Sequence, residues 1–215
     1  MKLNKLTFHP LPWMASSHLQ TVVPSFLPSG SPPPSKKWLI DLGRNDYLSC
    51  EISVPVTWKQ SDQTVVLVHG MGGSHSSSYM VRMSRKLYFK GNRVVRINLR
   101  GCGSGKGLSK LLYHGGTSGD VLKVIQFLKE TDPSSEIVLI GFSLGGNITL
   151  KLAGELGAEA KKLVKTFMAV CPSFDLAHAV RNIQEKRNRL YHYYYLKKIR
   201  GQASSYSAQK VRTLY

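Results

Sequence analysis

Ser143 lies in the heptapeptide Gly141-Phe142-Ser143-Leu144-Gly145-Gly146-Asn147, a spacing that suits a nucleophilic hydroxyl at the apex of a sharp turn. A β-branched run, Ile137-Val138-Leu139-Ile140, leads in, and Ile148-Thr149-Leu150-Lys151-Leu152-Ala153 leads out with helix-forming character. Strand, tight turn and helix in that order make a nucleophile elbow. Glycines two before and two after the serine keep Cβ atoms away from the turn. A serine of this kind also needs a base, an acid to orient the base, and donors for a developing oxyanion. The donors have a source in His69-Gly70-Met71-Gly72-Gly73-Ser74, which follows the apolar run Thr64–Val68. Glycines at 70, 72 and 73 let the backbone turn its amides inward, and the main-chain N–H groups of Met71 and Leu144 are the predicted pair. The positive end of the elbow helix points at the same spot. A competing reading makes Ser143 part of a glycine-rich turn that holds a phosphate at a helix N-terminus. That reading leaves the HGMGG loop unexplained. His69 invites assignment as the base, but its place just before the loop reads as structural.

The acid and base are harder to find. Downstream of Ser143 the acids are Glu155, Glu159, Asp175 and Glu185, and the histidines are His178 and His192. Asp175 follows a predicted strand and is the best candidate acid, although its position reads better as a helix N-terminal residue. No complete triad can be assigned. A second glycine-rich stretch, Arg100-Gly101-Cys102-Gly103-Ser104-Gly105-Lys106-Gly107, fails as a nucleotide-binding loop. A P-loop needs Gly at 100 and Ser or Thr at 107, and the third glycine of a dinucleotide fingerprint is missing. It reads as a flexible turn after the strand Arg93–Asn98.

The elements that would position these groups alternate. Thr64–Val68, Arg93–Asn98, Glu136–Ile140 and Lys165–Val170 read as strands; Ser78–Phe89, Thr117–Glu130 and Gly145–Leu156 read as helices. Short apolar strands between helices predict an α/β fold with a mostly parallel sheet covered on both faces. Two further strands, Trp38–Leu42 and Tyr47–Ser53, flank the turn Gly43-Arg44-Asn45-Asp46. The expected organisation is a proline-rich arm over 1–36, a core over 37–174, a basic helical segment over 175–200 and a poorly ordered polar tail over 201–215.

Thirty Lys and Arg against twelve Asp and Glu give a net charge of +18, a field that attracts anionic partners at low salt. Between Arg181 and Arg200 seven basic residues meet one acid and several tyrosines. That composition suits an anionic membrane surface or single-stranded nucleic acid. The plainer reading, a cap helix with a solvated basic face and a buried tyrosine side, is preferred, and nucleic acid is not an expected partner. Cys50, Cys102 and Cys171 are widely spaced and show no metal-binding pattern, so reduced thiols are expected. Pro10 and Pro12 interrupt any leader-like start, and no run reaches the roughly 18 apolar residues of a membrane span. A cytoplasmic or membrane-peripheral location follows as the expectation.

Taken in order, Phe8-His9-Pro10, His18-Leu19-Gln20-Thr21, the HGMGGS loop, Asn98-Leu99-Arg100-Gly101-Cys102-Gly103-Ser104-Gly105, Tyr113-His114-Gly115-Gly116 and the GFSLGGN elbow resemble the YheT-type branch of the α/β-hydrolases. That branch includes the eukaryotic ABHD1/ABHD3-like proteins, and the similarity runs through Phe174-Asp175-Leu176. The resemblance implies an α/β-hydrolase fold and a serine carboxylic-ester hydrolase. Ser143 would be its nucleophile, acyl esters or phospholipids its substrates, and no metal or organic cofactor would be required. In that family the acid and histidine follow the last two strands of the sheet. This chain stops before both, so a truncated product with an exposed edge strand and impaired activity is expected.

Overall fold

The computed structural model describes residue 7 and residues 9–212, with side chains as far as residue 204. Six strands form one sheet: β1 (Lys36–Gly43), β2 (Asp46–Ser53), β3 (Thr64–Val68), β4 (Arg93–Asn98), β5 (Ile137–Phe142) and β6 (Thr166–Val170). Their spatial order is β1-β2-β4-β3-β5-β6. The first hairpin is antiparallel and β2 runs antiparallel to β4, while β4, β3, β5 and β6 are mutually parallel. The hairpin turns through Arg44 and Asn45, both at positive φ, as the right-handed twist of its strands favours.

Covering both faces of β3 explains its unbroken apolar sequence. All five residues of Thr64-Val65-Val66-Leu67-Val68 are buried. Val66 and Val68 point into the larger core cluster. There they meet Val121, Val124, Ile125 and Leu128 of α3 (Ser118–Thr131) with Ile148 and Leu152 of α4 (Leu144–Leu156). Val65 and Leu67 point the other way, toward Met80, Tyr79, Met83 and Leu87 of α2 (Ser78–Tyr88). The predicted two-sided packing is therefore present. β1 and β6 are the edge strands, and Met168 of β6 is 47% exposed.

Four features depart from the sequence reading. The proline-rich arm contains α1 (Ser17–Phe26), which tolerates Pro24 in its last turn although the ring removes one i→i−4 hydrogen bond. A short helix, α5 (Ala160–Leu163), precedes β6. After α6 (Leu176–Gln184), the helix α7 (Arg189–Arg212) continues through Gly201, so the polar stretch as far as Arg212 is helical rather than an irregular tail; 213–215 lie outside the described residues. The expected buried tyrosine side holds only in part: Tyr191 and Tyr195 are half-buried, whereas Tyr193 and Tyr194 are exposed.

The loop after β4 is also more firmly held than a flexible turn. The Arg100 guanidinium donates to both carboxylate oxygens of Asp120 at 2.6 and 2.8 Å and to Asp46 from its other nitrogen. It thereby joins the start of β2 to the first turn of α3. All three side chains are largely buried, at 15% exposure for Arg100 and 11% for each carboxylate. Replacing Arg100 by Met strands two carboxylates, and urea denaturation is expected to show a loss of about 3 kcal/mol. A loss under about 1 kcal/mol would show that solvent already screens the cluster.

Candidate active site

The turn from β5 into α4 places Ser143 at φ +52° and ψ −116°, a conformation that side-chain-bearing residues rarely adopt. Two hydrogen bonds hold it there: the Ser143 N–H donates to the Val170 carbonyl at 2.9 Å, and its carbonyl accepts from Asn147 N–H at 3.0 Å. The flanking glycines are sterically required. A Cβ on Gly141 would lie 2.2 Å from the Gly145 carbonyl oxygen, and one on Gly145 would lie 2.5 Å from that of Val68. The side chain of Ser143 is half-buried and rests against the loop after β3. A Cβ on Gly70 would sit 3.1 Å from Ser143 Cβ and 3.7 Å from its Oγ.

Within that loop, nearly every main-chain donor is already used. Gly70 N–H donates to the Tyr79 hydroxyl at 2.9 Å, Gly72 N–H to the Tyr113 hydroxyl at 2.7 Å, and Gly73 N–H to the Gly70 carbonyl at 3.1 Å. Met71 N–H has no acceptor among the described residues. Leu144 N–H, the first of α4, has none either. The two amides expected to bind an oxyanion are therefore among the main-chain donors without an acceptor. Tyr79 and Tyr113, which occupy the neighbouring donors, carry no sequence signal for that role. Burial pushes the Tyr113 phenol up to about 12, so it stays a neutral hydrogen-bonding group.

His69 is a structural residue. It is fully buried, its Nε2 accepts the Leu99 N–H at 3.1 Å, and its Nδ1 donates to the Gly70 carbonyl at 2.8 Å. Accepting at one nitrogen and donating at the other fixes one neutral tautomer. Asn98 secures the far end of the loop: its Oδ1 accepts from His75 N–H and from Nδ1 of the same ring, both at 2.9 Å. Its amide group donates to Ser49 and Ser104. The glycines of the 100–107 stretch serve this packing. A Cβ on Gly103, at φ +52°, would lie 2.2 Å from Asn98 Oδ1.

Among the described residues none of the seven, His9, His18, His69, His75, His114, His178 and His192, is hydrogen-bonded to Ser143 Oγ. Asp175, the candidate acid, is exposed. It caps α6 by accepting the His178 N–H at 2.8 Å, so its carboxylate holds a backbone amide rather than an imidazole. Among the described residues no group of three or more His, Cys, Asp or Glu is placed to hold a metal ion.

The profile of the alpha/beta hydrolase fold matches residues 63–215, which takes in the strained serine, the glycine loop and the parallel strands that carry them. The chain belongs to the α/β-hydrolase fold family. It is 28% identical over 186 residues to the monoacylglycerol lipase ABHD2 of Danio rerio, covering 82% of this chain and 42% of that protein. It is 23% identical over 197 residues to the putative esterase YheT of Escherichia coli (strain K12), covering 92% of this chain and 57% of that protein. The chain therefore spans about half the length of these curated relatives. Dienelactone hydrolase from Anabaena variabilis shares the fold, with a TM-score of 0.53 at 18% identity over 68% of this chain and 67% of that one.

The buried imidazole gives this protein a pH signature. Desolvation lowers the His69 pKa from an ordinary 6.5 to about 4. The unfolded chain therefore binds the proton first as pH falls, and stability present above pH 6.5 is lost between 6.5 and 4. The loss over that window is about 3 kcal/mol. Urea titrations from pH 7 to pH 4 should show this extra loss in the native protein and a flatter profile in His69→Gln. Parallel profiles would rule out His69 as its source.

Proposed function

We propose that this site hydrolyses carboxylic esters through an acyl-enzyme on Ser143, with a small or lipid-type ester as substrate. Ser143 Oγ attacks the ester carbonyl carbon, and the displaced electron pair collects on the carbonyl oxygen. The amides of Met71 and Leu144 receive that oxyanion, the alcohol departs, and water then releases the acid. The observation that carries this reading is the strained serine beside two main-chain donors without acceptors. The relatives' names, a monoacylglycerol lipase and a putative esterase, support the ester class.

Proton removal is the weak step. With no imidazole on Ser143 Oγ and Asp175 engaged as a cap, this chain has an oxyanion site without a matched base. Loss of the base in a serine-protease triad lowers turnover by about six orders of magnitude. Free imidazole should replace it in part. With nitrophenyl butyrate, added imidazole is expected to give a butyryl adduct on Ser143, seen by peptide mass spectrometry and absent from Ser143→Ala. No adduct on Ser143 would overturn the nucleophile assignment. Fast Ser143-dependent turnover without imidazole would overturn the claim that the base is lacking.

A second reading, a non-catalytic protein that sits on anionic membranes, draws on α7, where Leu190, Tyr193 and Tyr194 are 85%, 69% and 54% exposed among basic residues. No helix among the described residues is long and apolar enough to cross a membrane. Co-sedimentation with phosphatidylserine vesicles at low salt, lost at high salt, is expected on this reading; no binding at low salt removes it.

A further inference from the structure

The peptide unit joining Gly70 to Met71 carries both an occupied acceptor and an open donor. Its carbonyl, that of Gly70, accepts twice: from His69 Nδ1–H at 2.8 Å and from Gly73 N–H at 3.1 Å. Its N–H, that of Met71, has no acceptor among the described residues. A trans peptide is planar and sets its C=O and N–H in opposite directions. Among the described residues no peptide bond is cis. Two donors on the carbonyl therefore turn the Met71 N–H away from His69 and Gly73. The same unit starts at the Gly70 α-carbon, against which Ser143 rests.

The adjoining units are pinned by hydroxyls, Gly70 N–H donating to Tyr79 and Gly72 N–H to Tyr113. Gly70 has no Cβ to resist rotation, so the plane between 70 and 71 is free to turn over between two fixed neighbours. Turned over, it would point a carbonyl where the N–H stands, and His69 Nδ1–H and Gly73 N–H would both lose their acceptor. The imidazole opposes this because it is itself held. Its Nε2 accepts from Leu99 N–H at 3.1 Å, which leaves the proton on Nδ1, and Tyr113 packs edge-on to the ring at 6.1 Å and 83°. A main-chain group just past β4 thus sets the ring, the ring sets the Gly70 carbonyl, and the carbonyl sets the Met71 N–H.

We propose that His69 is a positioning residue: by holding the Gly70 carbonyl it keeps the Met71 N–H turned out of the loop to receive the oxyanion formed at Ser143. The proposal rests on the ester-hydrolase reading of Ser143. It gives the histidine of the loop a part in the reaction without proton transfer, since both ring nitrogens are engaged with the main chain.

Two variants separate this role from plain support of the fold. In His69→Asn the side-chain NH2 stands in for Nδ1–H and still donates to the Gly70 carbonyl. In His69→Gln the side-chain oxygen stands in for Nε2 and still accepts from Leu99, but the donor to the carbonyl is lost. The imidazole-dependent acylation of Ser143 by nitrophenyl butyrate is read as a saturation curve. His69→Gln is expected to lower its limiting rate about a hundredfold with the half-saturating concentration unchanged, and His69→Asn to restore most of that rate. Equal rates in the two variants, or a loss that falls on half-saturation alone, would overturn the proposal.

A second readout needs no turnover. Gly70-Met71 is the only Gly-Met pair in the sequence. Protein labelled with carbon-13 at glycine carbonyls and nitrogen-15 at methionine therefore gives a single carbonyl–amide correlation. Its carbonyl shift should move upfield in His69→Gln and stay near the native value in His69→Asn; an unmoved shift in His69→Gln sinks the proposal. In the unaltered protein, ring nitrogen shifts of His69 should place the proton on Nδ1 at neutral pH, and the reverse tautomer would also sink it. If the carbonyl shift behaves as expected while Ser143 never acylates, the hydrolase reading falls and the hold of His69 on the peptide stands.

Discussion

The left-handed backbone at Ser143 is the constraint from which the rest of the site follows. Such a residue costs of order 1–3 kcal/mol and survives only where its surroundings determine it. Here they do so through absence and through pairing. The missing side chains of Gly141 and Gly145 let the turn close against α4 and against the end of β3, and the Val170 carbonyl captures the serine N–H. Strand register supplies the rest. Val68 lies opposite Gly141, and Phe142 opposite Val170, so the carboxyl ends of β3, β5 and β6 finish level with one another. The glycine loop and the elbow are therefore neighbours because of sheet pairing, although 74 residues separate His69 from Ser143. Placement of reactive groups outside the carboxyl ends of parallel strands is the general consequence of this architecture.

A second layer decides which backbone donors stay open. Hydrogen bonds inside a loop compete with hydrogen bonds to a ligand, because each N–H satisfies one partner well. The hydroxyls of Tyr79 and Tyr113 and the carbonyl of Gly70 occupy three of the four loop amides. Behind them His69 and Asn98 bind main-chain groups just past β4 and at the loop's far end, which fixes the loop's curvature. A neutral His69 is suited to this work. A buried imidazolium would lose its acceptor and repel the Leu99 N–H.

The core strands and the strained serine turn were legible in sequence because their signals are local. Thr64–Val68 and Arg93–Asn98 match β3 and β4 residue for residue, since short runs rich in Val, Ile and Leu between polar turns leave little else to form. The elbow is likewise specified within seven residues. Tyr113 was not legible as a partner of Gly72, because the pairing spans 41 residues and depends on how the segment after Gly107 folds back. The stretch after β4 was misjudged for the same reason. Its glycines look like flexibility, yet Arg100 finds Asp46 and Asp120 in distant segments. Helix α1 was missed because Pro24 and the lack of a buried face argue against a helix on local grounds.

The proposed nucleophile and oxyanion donors differ in kind from the groups that would move protons. A main-chain N–H is positioned by the strand or helix that contains it, and the β3–β5 pairing sets the loop after β3 against the turn at Ser143. A base is a side chain that must reach Ser143 from another element, and among the described side chains neither α6 nor α7 hydrogen-bonds to Ser143 Oγ. Their packing serves another end. Gly72, at φ +68°, has the stem of Lys198 within 3.0 Å of where a Cβ would stand, and Gln202 bridges Tyr113 and Cys102. Helix α7 thus closes over the oxyanion loop and brings positive charge to its rim. The second glycine of the loop is required as much by this contact as by the turn itself.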